Sequence, residues 1–396
     1  MTMQVRVGWM LIVGLALMGL ASCDHYVCTS GATFGSSACT TTGGGGGLNG
    51  TGTVYAYLLA EVGSSDGMAA DTLDLSANTF QEASAFTAPP LPSTLAQDGG
   101  TVVVNLPSQK YLYIPFNNGT VYGYTIDGNT GALTSVPNSP YAVNGGKSIA
   151  STPAGTYLFV TDSANGDISV FSISATDGSL TAVAGSPFAS GIAVAQLATD
   201  GQGKYLYATA GTGGAQVAAF AINSSTGALS PVNGSPFAFN MSKVVGENTG
   251  QYLLGITGVD SNIYVFDINA QTGALSEAAG SPFTTVSVPI NITVHPNGNF
   301  VYAFDGLLTA MEGYQLTAST GALTAIQGSP FTSIYLQSGE IDQSGLYLFG
   351  PGNGTEGTDF GPYGVDTTSG VISILTYTPG GFPGGGYAVS DLNDAP

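Results

Sequence analysis

Beyond residue 50 the apolar residues of this chain fall in short runs, not in helical stripes. Ile168-Ser169-Val170-Phe171-Ser172-Ile173 alternates apolar and polar positions, as a strand with one buried face does. Tyr157-Leu158-Phe159-Val160 is an apolar run bounded by Pro153-Ala154-Gly155 and Asn165-Gly166, and it predicts a second strand. Ser148–Ser151 before it and Ser179–Ala182 after it complete a unit of four short strands, A to D. Asn165-Gly166 and Asp177-Gly178 supply the tight turns. No amphipathic stretch of 3.6-residue period and helical length follows residue 50.

The unit repeats. Thr130-Gly131-Ala132-Leu133-Thr134 recurs at Asp177–Thr181, Thr226–Ser230, Thr272–Ser276 and Thr320–Thr324, with a worn copy at Ser369–Ser373. Its glycines, 131, 178, 227, 273, 321 and 370, are 46–49 residues apart, the length of one propeller blade. Ser139-Pro140-Tyr141, Ser186-Pro187-Phe188, Ser235-Pro236-Phe237, Ser281-Pro282-Phe283 and Ser329-Pro330-Phe331 keep step with it. Strand C carries one aromatic per copy: Tyr124, Phe171, Phe220, Phe266, Tyr314 and Tyr363. Six equivalent rings suit packing between blades better than one sugar-stacking platform, since a single site needs no such periodicity.

Six continuous units leave fragments at both ends. Val54–Leu58, Asp71–Leu75 and Asn78–Gln81 read as strands B, C and D with no strand A before them; Gly386–Ser390 reads as a strand A with no blade behind it. Joined in one sheet, they hide two edges that would otherwise be sticky. The expected fold is all-β: a seven-bladed propeller of four-stranded antiparallel blades, closed by one hybrid N-/C-terminal blade.

The segment ahead of the repeats is of another kind. Arg6 precedes an apolar stretch, Trp9 to Leu20, which is short for a membrane span and suited to an export signal. Leu20-Ala21-Ser22-Cys23 resembles the lipobox of bacterial lipoproteins, so residues 1–22 are expected to be a signal peptide and Cys23 the lipidated residue. Residues 23–50 then form an anchor segment and tether, ending in Thr40-Thr41-Thr42 and Gly43 through Gly47, and 51–396 form the propeller. Cys28 and Cys39 remain, and an exported pair eleven positions apart suits a local disulfide; free thiols are the alternative. The expected location is the cell envelope, periplasmic or outer-surface, with the membrane met only through the lipid.

Composition narrows the partners. Charged residues are 8%, 25 acidic against 5 basic, for a net charge of −20. Cleavage before Cys23 removes the sole Arg and leaves four Lys against the 25 acids, −21. Such a chain has no basic surface for nucleic acid. Hydrophobic residues at 43% are enough for a core, and a monomer is expected.

Gly203-Lys204-Tyr205-Leu206-Tyr207, with the Thr-Gly-Ala-Leu and Ser-Pro-Phe phrases, resembles the seven-bladed lactonase-like family over about residues 50–390. That family includes phosphogluconolactonases and a muconate cycloisomerase. The resemblance implies the propeller scaffold and, as an activity, lactone hydrolysis. Its cycloisomerase site is arginine-rich and has no counterpart in a mature chain without Arg. Lactone opening needs an activated water and a group that steadies the oxyanion. Lys147 and Lys243 open their strands A near the central channel, whereas Lys110 and Lys204 sit in A–B turns on the opposite face. His295, the only His in the repeats, begins the A–B turn His295-Pro296-Asn297-Gly298, and a structural role is expected of it. Asp162, Asp167, Asp305, Glu356 and Asp359 fall on the ligand face, and Lys147, Lys243, Asp162 and Asp305 are the candidate ligand-binding residues. No metal site is expected, because the acids are scattered without an Asp-x-Asp-x-Asp-Gly loop; Ca²⁺ is the one cofactor such oxygens admit.

Two functions compete on this basis. One is a surface-anchored, non-catalytic binding module for a glycan, peptide or envelope partner. The alternative is an exported hydrolase of a small uncharged or cationic lactone, because a strongly acidic protein repels anions such as 6-phosphogluconolactone. Without an Arg or a well-placed His, the sequence favours the binding module. In either case Cys23→Ala should move the protein from the membrane fraction to the soluble one. A variant that stays with the membrane in the absence of detergent contradicts the lipid anchor.

Overall fold

The computed structural model describes residues 110–375 apart from short loop segments at 117, 128–129, 147, 163–165, 212–213, 306–309, 335, 337, 343 and 351–362. Beyond that range it describes, as backbone, the strands Trp9–Ala16, Thr53–Val62, Ser65–Asp74, Thr79–Glu82, Val102–Asn105 and Thr378–Pro379. Every regular element among the described residues is a strand.

Each repeat folds as one antiparallel sheet in the order A-B-C-D. Blade 1 comprises Val102–Asn105, Lys110–Phe116, Thr120–Ile126 and Leu133–Ser135. Blade 2 comprises Ile149–Ser151, Tyr157–Asp162, Asp167–Ile173 and Leu180–Ala182, within a residue or two of the expected bounds except that strand B runs on to Asp162. Blade 3 is Gln196–Thr199, Tyr205–Thr209, Val217–Ile222 and Leu229–Pro231, and blade 4 is Lys243–Gly246, Tyr252–Ile256, Asn262–Ile268 and Leu275–Glu277. Blade 5 is Pro289–Val294, Phe300–Asp305, Met311–Leu316 and Leu323–Ala325, and blade 6 is Glu340–Ile341, Tyr347–Phe349, Tyr363–Val365 and Ile372–Ile374. A seventh sheet, built on Thr53–Val62, Ser65–Asp74 and Thr79–Glu82, closes the ring. The innermost strands neighbour one another in turn from blade 1 through blade 6 to the closing blade and back.

The two sequence phrases do different work. The Thr-Gly-Ala-Leu phrase locks one blade onto the previous one. Its glycine is left-handed, and a Cβ on Gly227 (φ +75°) would stand 2.5 Å from the Tyr157 ring of the preceding blade. The same turn also receives hydroxyls: Tyr113 donates to the Gly178 carbonyl at 2.7 Å, Tyr207 to Gly273 at 3.1 Å and Tyr302 to Gly370 at 2.7 Å. The Ser-Pro-Phe phrase, Ser-Pro-Tyr in blade 1, finishes the outer edge of the sheet in blades 1 to 5. The Ser hydroxyl oxygen accepts a strand C amide from Gly123, Val170, Ala219, Val265 or Gly313 at 2.8–3.0 Å, always sixteen residues back. The strand C aromatics Tyr124, Phe171, Phe220, Phe266 and Tyr314 are all buried, as packing between blades requires.

Closure differs from expectation in one strand. Gly386–Ser390, expected beside Val54–Leu58, lies outside the described residues. The inner edge of Thr53–Val62 is paired instead with Trp9–Ala16, the apolar stretch read as an export signal. An innermost strand without a partner leaves its amides and carbonyls open, and an apolar segment of the same chain satisfies them. The C-terminal contribution comes on the outer side, where Thr378–Pro379 runs parallel to Thr79–Glu82. The closing blade is thus built from both ends of the chain, but the innermost place is held by the N-terminal end.

Gly227→Ala should lose at least about 2 kcal/mol in chemical denaturation, from the left-handed backbone and the overlap with Tyr157 together. Gly191→Ala is the control: Gly191 shares the backbone conformation (φ +77°) but has nothing within 4 Å of a Cβ. Equal losses in the two variants would contradict the interlock.

Candidate functional site

Seven innermost strands converge on one axis, so the site is made of what they carry. Their outward-looking polar groups are tied between blades. Leu197 N donates to Ser148 Oγ at 3.1 Å, and the Gln196 amide spans Val244, accepting its N–H and donating to its carbonyl, each at 3.0 Å. Thr209 Oγ1 donates to the Ser242 carbonyl at 3.0 Å. These bonds replace the strand that a free edge would otherwise recruit.

Among the described strands A that carry side chains, two positions are charged: Lys243 in blade 4 and Glu340 in blade 6. Lys243 pairs with Ile256 and is half-buried, and Glu340 pairs with Phe349. Measured from the first aromatic of each strand B, Glu340 stands two residues deeper, about 7 Å along the wall. Glu340 stands on an innermost strand of the ring with its side chain open to water. Desolvation by the surrounding ring pushes its carboxyl up to about 7, while the positive charge of Lys243 pulls it down. A carboxyl poised near neutrality accepts a proton from water far more readily than one at its ordinary value.

Of the residues singled out in the sequence, Lys243 is the first residue of strand A in blade 4. Lys147 lies outside the described residues, as do Glu356, Asp359, Cys23, Cys28 and Cys39. Asp162 and Asp305 end their strands B on the mouth side, but both are buried in the wall; Asp162 accepts a hydrogen bond from Asn144 Nδ2 at 2.9 Å. Among the described residues no three His, Cys, Asp or Glu gather as metal ligands.

His295 has the structural task expected of it. Asn297 N donates to Nδ1 at 3.0 Å, so the proton is on Nε2, which donates to the Gly345 carbonyl at 2.9 Å. Burial lowers its pKa and keeps the ring neutral. In blade 2 the Thr152 hydroxyl holds the equivalent turn, accepting the amides of Thr156 and Tyr157 at 3.0 and 3.1 Å, and in blades 3, 4 and 6 an acid does. Asp200 Oδ1 accepts the amides of Lys204 and Tyr205, both at 2.7 Å. Glu247 Oε1 accepts those of Gln251 and Tyr252 at 2.5 and 3.1 Å. Asp342 Oδ1 accepts that of Tyr347 at 2.8 Å. Burial raises the pKa of Asp200 and Asp342 against these bonds. All five groups lie at the A–B turns, on the face away from the mouth.

Residues 50–194 match the family model of the lactonase, 7-bladed beta-propeller. A putative 6-phosphogluconolactonase from Bacteroides uniformis has a similar structure, with a TM-score of 0.60 at 18% identity over 79% of this chain and 92% of that one. Its counterpart from Bacteroides fragilis gives 0.58 at 16% identity over 79% and 90%. The periplasmic gluconolactonase of Pseudomonas aeruginosa gives 0.58 at 15% identity over 79% and 92%. At these identities the likeness is one of fold. No curated protein matches the chain in sequence.

Proposed function

We propose that this chain, a lactonase-like seven-bladed propeller, hydrolyses a small uncharged or cationic lactone in its central channel, with Glu340 as the general base. The observation that carries this reading is Glu340 itself: a water-exposed carboxyl enclosed by the channel, held up to about 7, with Lys243 acting on it. The sequence favoured a non-catalytic module for want of a placed acid or base, and Glu340 supplies one. The lactonase match and the neighbours named for gluconolactone substrates support the reaction class.

In the proposed reaction the Glu340 carboxylate takes a proton from water as the water oxygen bonds to the lactone carbonyl carbon. Lys243 faces the negative charge that builds on the carbonyl oxygen. Collapse of the tetrahedral intermediate breaks the bond to the ring oxygen, which takes up the proton that Glu340 received. The product is an open hydroxy acid, anionic at neutral pH. The protein's net charge of −20 favours its departure, and the same charge disfavours a phosphorylated substrate.

The wider setting is part of the proposal. Lipidation at Cys23 would remove Trp9–Ala16 with the signal peptide and leave the inner edge of Thr53–Val62 to another strand, for which Gly386–Ser390 is the candidate; the 23–50 tether would then hold a monomeric propeller at the cell envelope, with Cys28 and Cys39 bonded in the anchor segment. Neither nucleic acid nor a resident metal has a part.

The test uses δ-gluconolactone, an uncharged substrate, with the spontaneous opening rate subtracted. The parent should exceed background with a rate that rises with pH through about 7, since only the deprotonated carboxyl acts as base. Glu340→Gln should lose about 10²- to 10⁴-fold in kcat. A Glu340→Gln variant as fast as the parent would remove the base. A parent that binds the lactone without opening it would return the protein to the binding-module reading.

A further inference from the structure

The inner ring ties each blade to the next by a repeated bond, and the pattern changes at one place. Ser148, Gln196, Lys243 and Asn291 stand at the same level of the inner wall in blades 2 to 5, opposite Thr161, Thr209, Ile256 and Phe304 of their own sheets. The Ser148 hydroxyl oxygen accepts the Leu197 amide of blade 3 at 3.1 Å, and Gln196 Oε1 accepts the Val244 amide of blade 4 at 3.0 Å. The next amide of this series is that of buried Ile292 in blade 5. Blade 4 has Lys243 at the accepting position, and an ammonium has no lone pair to offer. Ile292 N donates within its own strand instead, to Asn291 Oδ1 at 2.9 Å.

This bond engages the oxygen of the Asn291 side chain and leaves its two N–H groups. Nδ2 has no acceptor among the described residues, and it is not one of the buried polar atoms left without a partner, so it is open to water. Asn291 also sits at a β-bulge. Pro289 pairs with Asp305 and Asn291 with Phe304, so Ile290 is an extra residue, and no other described strand pair slips in this way. A bulge re-aims the side chain beside it. At this level the side chains of blades 2 and 3 reach toward strand A of the following blade. For Asn291 the following strand A is Glu340–Ile341, and the preceding one carries Lys243. Asn291 is level with Lys243 and two residues nearer the mouth than Glu340, about 7 Å along the wall.

We propose that Asn291 is a catalytic residue of the hydrolase, its Nδ2 donating a hydrogen bond to the lactone carbonyl oxygen as charge builds there. The proposal rests on the hydrolase reading for its reaction. Lys243 brings charge to that oxygen on a flexible four-carbon stem. Asn291 brings a donor whose direction is set by the bond from Ile292 N, and a donor fixed before the reaction costs no reorganisation during it. The difference in level leaves room for the carbonyl group and the attacking water between this amide and the Glu340 carboxylate. Asn291 keeps both its protons throughout, so the proton still passes from water to Glu340 and on to the ring oxygen.

The test uses δ-gluconolactone and δ-gluconolactam, the lactam that resists hydrolysis. Asn291→Asp keeps an oxygen for the Ile292 amide and loses the donor; Asn291→Ala loses both without adding charge. Each variant should lose about 10²- to 10³-fold in kcat with KM within about twofold of the parent, as expected for a donor that acts mainly in the transition state. An Asn291→Ala variant that keeps the parent's kcat below its melting transition overturns the proposal, because a loss confined to Asn291→Asp is the effect of added charge. Infrared difference spectra of the lactam, with and without carbon-13 at its carbonyl, separate the contact from the activity. The carbonyl band should move to lower wavenumber on binding to the parent and return towards its solution value in both variants; if Asn291→Ala does not fold, Asn291→Asp decides by the same band. If the parent opens no lactone, the hydrolase reading fails on its own. A band shift lost with Asn291 still sustains the contact, and a lactam that does not bind, or whose band the variants leave unmoved from the parent's, overturns it.

Discussion

No blade of this protein can stand without the next, because the aromatic that opens strand B lies under the left-handed glycine of the following blade's turn. Tyr111, Tyr157, Tyr205, Tyr252 and Phe300 meet Gly178, Gly227, Gly273, Gly321 and Gly370 in this way. Each ring is covered by a turn that belongs to another sheet, so its burial is gained only when the two sheets meet. The same joint recurs around the axis and requires a closing blade, since a ring left open would strand one set of aromatics and two strand edges. Construction from both ends of the chain follows from that constraint.

Closure also decides where charge can be used. Buried acids are affordable at the A–B turns because backbone amides converge on Asp200, Glu247 and Asp342 there. His295 takes the same place in blade 5 as a neutral ring. Those groups are occupied with holding the backbone. Glu340 stands on the inner ring and faces water, and besides desolvation the cation Lys243 acts on its ionisation. The difference between a structural acid and a chemical one is here a difference of face, turn side against channel wall.

Much of this was legible in the chain. The period, the strand B and C runs and the role of His295 follow from residues whose constraints are local: a turn that needs glycine, a strand that needs alternation, an amide that needs an acceptor. Glu340 was not legible as a candidate, because its meaning depends on seven strands meeting at an axis. The available signal was that, of the strands A, only those of blades 4 and 6 carry a charge among the described side chains. The expected innermost strand of the closing blade, Gly386–Ser390, lies outside the described residues, and the pairing of Trp9–Ala16 with Thr53–Val62 was not legible because both ends of the chain offer an apolar strand and local pattern does not rank them.

The account turns on whether Glu340 is held near neutrality by the channel. Carbon-13 titration of the glutamate carboxyls, with Glu340 assigned by the signal missing in Glu340→Gln, reads this directly. The account predicts a midpoint at about 7 in the parent and a higher one in Lys243→Met, where the charge that pulls it down is gone. A midpoint at the ordinary 4.5, unmoved by the loss of Lys243, would contradict it.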